Sequence, residues 1–332
     1  MNASNLCLLS VAVICMVLAW SEPSNACGPC TCSNGVVMSC PNIAKISLRS
    51  YGLTDLSGSA FQNNKIVTDI DLYQNQLVHL PAGLFNATTK LQTLNLRYNQ
   101  LVDLPDGLFK ATTELQTLDL DDNPFVHLPV GLFNATTKLE NLYLSRIQLG
   151  YLPVGLFDAT TKIKVIYFWD NKLDHLHAGL FNATTELESL YFKNNQLVDL
   201  PDGLFKATTE LQTLDLKDNQ LFHLPAGLFS ATTKLQKLDL KGNQLVHLPA
   251  GLFSATTKLQ KLDLLDNQLV HLPAGLFNTT TKLRNVSLWN NKLVDLPAGL
   301  FNVELEYLDL LDNQLVHLPA GLFKATTKLQ NL

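Results

Sequence analysis

Four cysteines, Cys27, Cys30, Cys32 and Cys40, crowd into fourteen residues, and no other cysteine follows them in the 332-residue chain. Two chemistries suit such a cluster, a pair of disulfides or a zinc cage, because Cys27-x-x-Cys30 has ligand spacing. The single residue between Cys30 and Cys32 is awkward for a tetrahedral cage, and an export signal upstream favours oxidation, so two disulfides are expected. Seven of the eight histidines (His79, His127, His175, His223, His247, His271 and His317) recur at one position of a repeated motif. On consecutive turns they would lie about 5 Å apart, yet they lack a third ligand type and any visible outer shell. They read as a solvated ladder, and no metal is expected. There is no G-x-S-x-G, no phosphate loop and no unpaired thiol beside a base, and the eighth histidine, His177, merely replaces a proline of the repeat. No catalytic residue and no cofactor are expected, and the chain does not read as an enzyme.

What positions these residues is a period of 24. Units begin at Val67, Leu91, Leu115, Leu139, Ile163, Leu187, Leu211, Leu235, Leu259 and Leu283, and, after a two-residue deletion, at Leu305; a degenerate unit at Ile43 precedes them and a fragment at Leu329 ends the chain. The consensus is L-x-x-L-x-L-x-x-N-x-L-x-x-L-P-x-G-L-F-x-A-T-T-K, a leucine-rich repeat. Within a unit, Leu94 and Leu96 alternate with Thr93, Asn95 and Arg97, the pattern of a half-buried strand. One such strand cannot bury its leucines alone, so neighbouring units must stack into a parallel sheet. The column Asn75, Asn99, Asn123, Asn171, Asn195, Asn219, Asn243, Asn267, Asn291 and Asn313 can bond backbone groups of adjacent turns. Ile147 interrupts it, and a local defect is expected there. Twelve of the sixteen phenylalanines, from Phe61 to Phe323, fall in one column and read as a structural spine. The expected fold is an α/β leucine-rich-repeat solenoid, a horseshoe. It has a parallel sheet on the concave face, irregular or 3-10 structure on the convex face and a disulfide-bonded N-terminal cap.

Positions 3, 5, 7 and 8 of each unit point outward from the strands. Toward the C-terminus they carry Asp215, Asp239 and Asp263 interleaved with Lys217, Lys237, Lys241 and Lys261, an alternation that reads as self-compensating. The centre differs: position 5 becomes Tyr143, Tyr167 and Tyr191, surrounded by Arg97, Tyr98, Arg146, Val165, Trp169, Asp170 and Lys193. Tyr, Trp and Arg are the types that dominate binding hot spots, so these residues form the expected ligand site. Trp289 with Asn290 is a lesser candidate. Asn86, Asn134, Asn182 and Asn278 each open an Asn-x-Thr acceptor on the convex side, and Asn285-Val-Ser287 adds a fifth beside the concave face.

Net charge is −5 without a basic run, which sets nucleic acid aside. No segment reaches the roughly 18–20 apolar residues of a membrane span. Leu6–Trp20, uncharged and followed by small residues, reads as a cleaved secretory signal. The expected organisation is a signal over 1–26, a cysteine-rich cap over 27–42 and about eleven to twelve repeats over 43–332. The chain stops inside a unit at Leu332, so a C-terminal cap, stalk or anchor is expected to be missing from this sequence.

Cys27-x2-Cys30-x-Cys32-x7-Cys40 resembles the N-terminal cap of extracellular leucine-rich-repeat proteins such as the small proteoglycans, Slit, Toll-like receptors and the Nogo receptor. That resemblance implies the pairing Cys27–Cys32 and Cys30–Cys40. Repeats reading Leu-Pro-Ala-Gly-Leu-Phe, as at Leu80 to Phe85, most resemble the variable lymphocyte receptors of jawless fishes. Two departures stand out: Asn86-Ala-Thr88-Thr89 puts Thr where those receptors carry Leu, and the cysteine-bearing C-terminal cap is lacking. Asn99–Leu120 repeats residue for residue at Asn195–Leu216, so modules have been copied as cassettes. The expected function is a secreted or cell-surface receptor, of immune type, that binds protein or glycan ligands on its concave face; the alternative is a structural or adhesive matrix protein.

Overall fold

The computed structural model describes residues 26–329. The segment read as an export signal lies, apart from Ala26, outside the described residues. The cap contains β1 (Ala26–Cys27), β2 (Cys30–Ser33) and β3 (Val36–Ser39). The first unit contributes β4 (Lys45–Ser47) and β5 (Asp55–Leu56). From there each unit gives one three-residue strand: β6 (Asp69–Asp71), β7 (Thr93–Asn95), β8 (Thr117–Asp119), β9 (Asn141–Tyr143), β10 (Val165–Tyr167), β11 (Ser189–Tyr191), β12 (Thr213–Asp215), β13 (Lys237–Asp239), β14 (Lys261–Asp263), β15 (Asn285–Ser287) and β16 (Tyr307–Asp309).

Strands β4 and β6 to β16 form one twelve-stranded sheet, paired parallel in chain order and in register at every step. The middle residue of each strand is buried and its two neighbours face out, which is what alternating Leu and polar residues dictate. Behind the sheet the spine is continuous. Phe61, Phe85, Phe109 and so on to Phe323 stack with centroids 5.9–6.5 Å apart. The outward tyrosines on the sheet are only 4.5–5.0 Å apart. Spacing that is shorter on the sheet side than at the spine bends the stack, so the sheet lines the concave face. The convex side is irregular, as expected: its segments are consecutive turns, with no helix among the described residues. No helix there is long and apolar enough to cross a membrane.

The asparagine column ties the turns together. Asn99 Nδ2 donates to Leu72 O (3.0 Å) and Leu96 O (2.9 Å), and its Oδ1 accepts from the Leu77 N–H (3.2 Å). These bonds satisfy backbone groups that would otherwise be buried unpaired. Ile147 has nothing to offer here, so Phe125 loses the acceptor that Leu101 finds in Asn123 (3.1 Å). Pro124, in the same turn, has no N–H to donate. The defect stays local. Strand bonds cross it unbroken, from Leu120 N to Tyr143 O (3.0 Å) and from Leu144 N to Tyr167 O (2.9 Å). An additional bond between the same turns lies beside it, the Ser145 N–H donating to Asp121 Oδ1 (2.6 Å).

At the N-terminus Cys27 is bonded to Cys32 and Cys30 to Cys40, the pairing the family resemblance implies, which leaves no sulfur in the cluster to ligate zinc. Strand β3 pairs with β5, sewing the cap onto the first unit, and buried Val37 covers the end of the core.

Candidate ligand-binding face

Tyr143, Tyr167 and Tyr191 close strands β9, β10 and β11 and are register partners. Because parallel strands in register place identical positions side by side, their rings stack almost flat. Centroids are 5.0 and 4.5 Å apart and the planes lie within 7°. Burial, reinforced by the neighbouring tyrosines, pushes the Tyr167 hydroxyl up to about 12. It therefore stays a protonated donor at any physiological pH. Behind this stack the core also changes, with Phe168 and Phe192 replacing leucine and packing 5.2 Å apart.

A second chain of side chains runs along the turn that follows the strands. Arg49 lies over the Tyr73 ring (4.1 Å), and Tyr73 meets Tyr98 edge to face (5.5 Å). Arg97 lies 4.8 Å from the Tyr98 ring and donates from Nε to Asp122 Oδ2 (3.0 Å). Arg146 grips the same carboxylate with two bonds, Nε to Oδ1 and Nη2 to Oδ2 (2.6 Å), while lying 4.3 Å over Trp169. Burial alone would raise the Asp122 carboxyl, but the bonds and charges of Arg146 and Arg97 outweigh it and hold it below the ordinary range. Arg146 is raised in turn, first by its bond to Asp122. Both arginines, singled out in the sequence as exposed anchors, are thus partly committed inside the protein.

The two chains meet at a shallow hollow lined by Tyr167, Trp169, Tyr191, Lys193 and Asp215. Val165 opens strand β10, half-buried between Asn141 and Ser189. Asp170 accepts from Asn194 Nδ2 (2.5 Å). Asp119 and Asp215 occupy the same column immediately before and after the tyrosines, and burial raises both carboxyls. Asp121 is 2 % exposed, and burial pushes it up to about 6 against the pull of its Ser145 bond.

Sequence reasoning missed Arg49, Tyr73, Asp119, Asp121 and Asp122, and it assigned Asp215, which lines the hollow, to the self-compensating charged flank. A signal for part of this was available. Position 8 adopts a left-handed backbone, φ 51–58° at Gln74, Tyr98, Asp122, Arg146, Asp170, Asn194, Asp218, Asp266, Asn290 and Asp312. Asn and Asp, common in this column, tolerate that conformation, whereas Tyr98 and Arg146 are bulky side chains held there at a cost.

The other candidates fall elsewhere. Trp289 donates from Nε1 to Asp312 Oδ2 (2.6 Å) at the C-terminal part of the sheet. Asn86, Asn134, Asn182 and Asn278 are exposed in the convex turns, and Asn285 is half-buried in β15. The threonine two residues after each convex asparagine is buried and bonded to the spine carbonyl, Thr88 Oγ1 to Phe85 O (2.9 Å), as are its equivalents in units lacking the asparagine, such as Thr112 to Phe109 O (3.0 Å). Structure alone therefore explains those threonines. In the histidine column the aspartates replacing histidine take part: His79 meets Asp103 (3.0 Å) and His271 meets Asp295 (2.8 Å). The column is therefore partly a hydrogen-bonded His–Asp ladder rather than bare histidine.

The leucine-rich-repeat family profile matches residues 41–101, 89–149, 161–221, 185–245, 209–269 and 233–279, well over half the chain. The chain belongs to the leucine-rich-repeat family. No curated protein matches its sequence significantly. Among solved structures, this leucine-rich-repeat chain is similar to one from the Toll–Spatzle complex of Drosophila, described as a hub in development and innate immunity (29 % identity, TM-score 0.80). The match covers 88 % of this chain and 41 % of that one, so this chain spans about two-fifths of the length of its relative. A leucine-rich-repeat protein of Leptospira interrogans is 25 % identical (TM-score 0.73; 89 % and 80 % covered). The complex of Latrophilin 3, Unc5D and the repeat protein FLRT2 contains a chain 26 % identical (TM-score 0.69; 81 % and 85 % covered).

Proposed function

We propose that this is a receptor-type recognition protein, secreted or held at the cell surface, that binds a protein or glycan ligand on the centre of its concave face. The observation that carries the reading is the change in the outward columns across β9 to β11. There charged and amide side chains give way to three stacked tyrosines joined to Trp169. Repeats before and after keep Asp, Asn or Ser in the tyrosine column, so the stack is not a requirement of the fold. Aromatic area held rigid by the sheet binds with little ordering cost. Two of the similar solved structures are complexes of several proteins by their descriptions, which supports a protein partner. The two disulfides support an extracellular setting. Residues 1–26 act as the export signal in this reading, and glycans on Asn86, Asn134, Asn182 and Asn278 would leave the central patch open.

The test is a screen of the purified chain against arrayed extracellular proteins and glycans, repeated with Tyr167→Ala and Trp169→Ala. Each variant should weaken the selected ligand by about 2 kcal/mol or more. Retention of full affinity by both would place binding elsewhere on the molecule.

A further inference from the structure

Along the edge where the chain enters each strand, charges on neighbouring turns are matched. Glu114 meets Lys138 (2.7 Å), Lys162 meets Glu186 (2.5 Å), Glu140 meets Lys164 (2.9 Å), and Glu210 meets Lys234 (2.5 Å). Three successive turns break this rule. They carry Lys234, Lys237, Lys258, Lys261, Lys282 and Arg284. Lys234 and Arg284, at the two borders, reach Glu210 and Glu306. The four between, Lys237, Lys258, Lys261 and Lys282, are exposed, and among the described residues none has a carboxylate within 4 Å. Lys237 and Lys261 are direct register partners on β13 and β14, an arrangement of like charges that destabilises a sheet. The aspartates two residues along, Asp239 and Asp263, were expected to neutralise them. Instead they pair with each other in register, and burial pushes Asp239 up to about 6.

We infer that this strip is a binding site for a linear anionic polysaccharide, of the sulfated kind found outside cells, laid across the turns along the strand-entry edge. The lysines repeat at the pitch of the solenoid, so a polymer with regularly spaced negative groups can engage several at once. Binding would relieve the like-charge cost that the fold alone leaves standing. A compact phosphate has no cradle here, because the ammonium groups stand on exposed stems and not over converging backbone N–H groups. The disulfide-bonded cap places the chain where such polysaccharides, and not nucleic acids, are the abundant polyanions. The strip is separate from the aromatic patch and does not depend on it.

The experiment measures binding of the secreted chain to immobilised heparin, to desulfated heparin and to single-stranded RNA of equal length, from 50 to 300 mM salt by order of magnitude. One variant carries Lys237→Gln, Lys258→Gln, Lys261→Gln and Lys282→Gln. A control removes four lysines from other regions of the surface, Lys110→Gln, Lys172→Gln, Lys206→Gln and Lys324→Gln. Melting curves of both verify that the fold survives, and single substitutions replace the quadruple variant if it does not. Heparin binding should fall steeply with salt, drop about tenfold or more in the strip variant and change less than about twofold in the control. Equal losses in both variants would reduce the effect to net charge and overturn the site. So would heparin binding that is absent at 150 mM salt or unaltered in the strip variant. RNA binding as tight as heparin, lost in the same variant, would overturn the polysaccharide as its ligand.

Discussion

Asp121 shows how one residue can be bound to its place by a neighbour's deficiency. Its carboxylate supplies the Ser145 N–H with an acceptor just where Tyr143 withholds one. Where Asp or Asn fills the Tyr143 column, that N–H finds its acceptor two residues back, as the Arg97 N–H does in Asn95 (3.0 Å). Asp121 is buried in taking over this role. A folded-state value raised from 3.8 to about 6 means that the native protein holds this proton more tightly than the unfolded chain. Its contribution to stability is therefore complete below about pH 4 and is lost as pH rises through 6. Asp121→Asn keeps an oxygen for Ser145 and removes the charge. It should stabilise the protein by about 2 kcal/mol at pH 7.5, with the gain vanishing toward pH 4, read as paired melting curves across that range. A difference that does not change with pH would show that the carboxylate is solvated after all. The burial of Asp121 was invisible in the sequence because Asp recurs at neighbouring outward positions, and only the small Ser145 one turn later makes room for it. Tyr143, Tyr167 and Tyr191, by contrast, were legible from spacing alone: a period of 24 with parallel register forces identical positions into contact.

At the scale of the element, the phenylalanine spine and the asparagine column are two ladders with different tolerances. A missing rung at Ile147 is absorbed because strand bonds and the Arg97–Asp122–Arg146 cluster cross the same joints. A missing ring has no such substitute, because each phenylalanine fills the space between its two neighbours. Phe181, fully buried and touching Phe157, Phe192 and Phe205, should cost about 3–5 kcal/mol when replaced by alanine. Phe323, with a single stacking partner and partial burial, should cost less than half as much, by denaturant titration of both variants. Equal costs would mean that the spine is not the principal filling of the core. The same comparison explains what the sequence could not convey about the lysine strip. Column positions were readable, but whether Lys258 would find Glu, as Lys234 does, depends on which columns meet at the strand-entry edge. Periodicity fixes which residues are equivalent; it leaves open which columns face each other.

The whole molecule follows from one rule of contact: inter-turn hydrogen bonds in the repeats join residues separated by 20–27 positions, and all but the first and last turns lean on two neighbours. Stability is then a sum of local terms, and the two ends are where it is cheapest to lose. The disulfides staple the cap that closes the N-terminal end, where Val37 and Ile46 are buried, so that fraying is expected to begin elsewhere. This has a mechanical consequence. Pulled by its two ends, the molecule should behave as a ratcheted coil and not as a block, shedding one turn per event. Each event frees 24 residues, or about 80 Å of extended chain. Single-molecule extension traces should therefore show evenly sized steps of about 8 nm, and a single jump several times longer would show that the turns fail together.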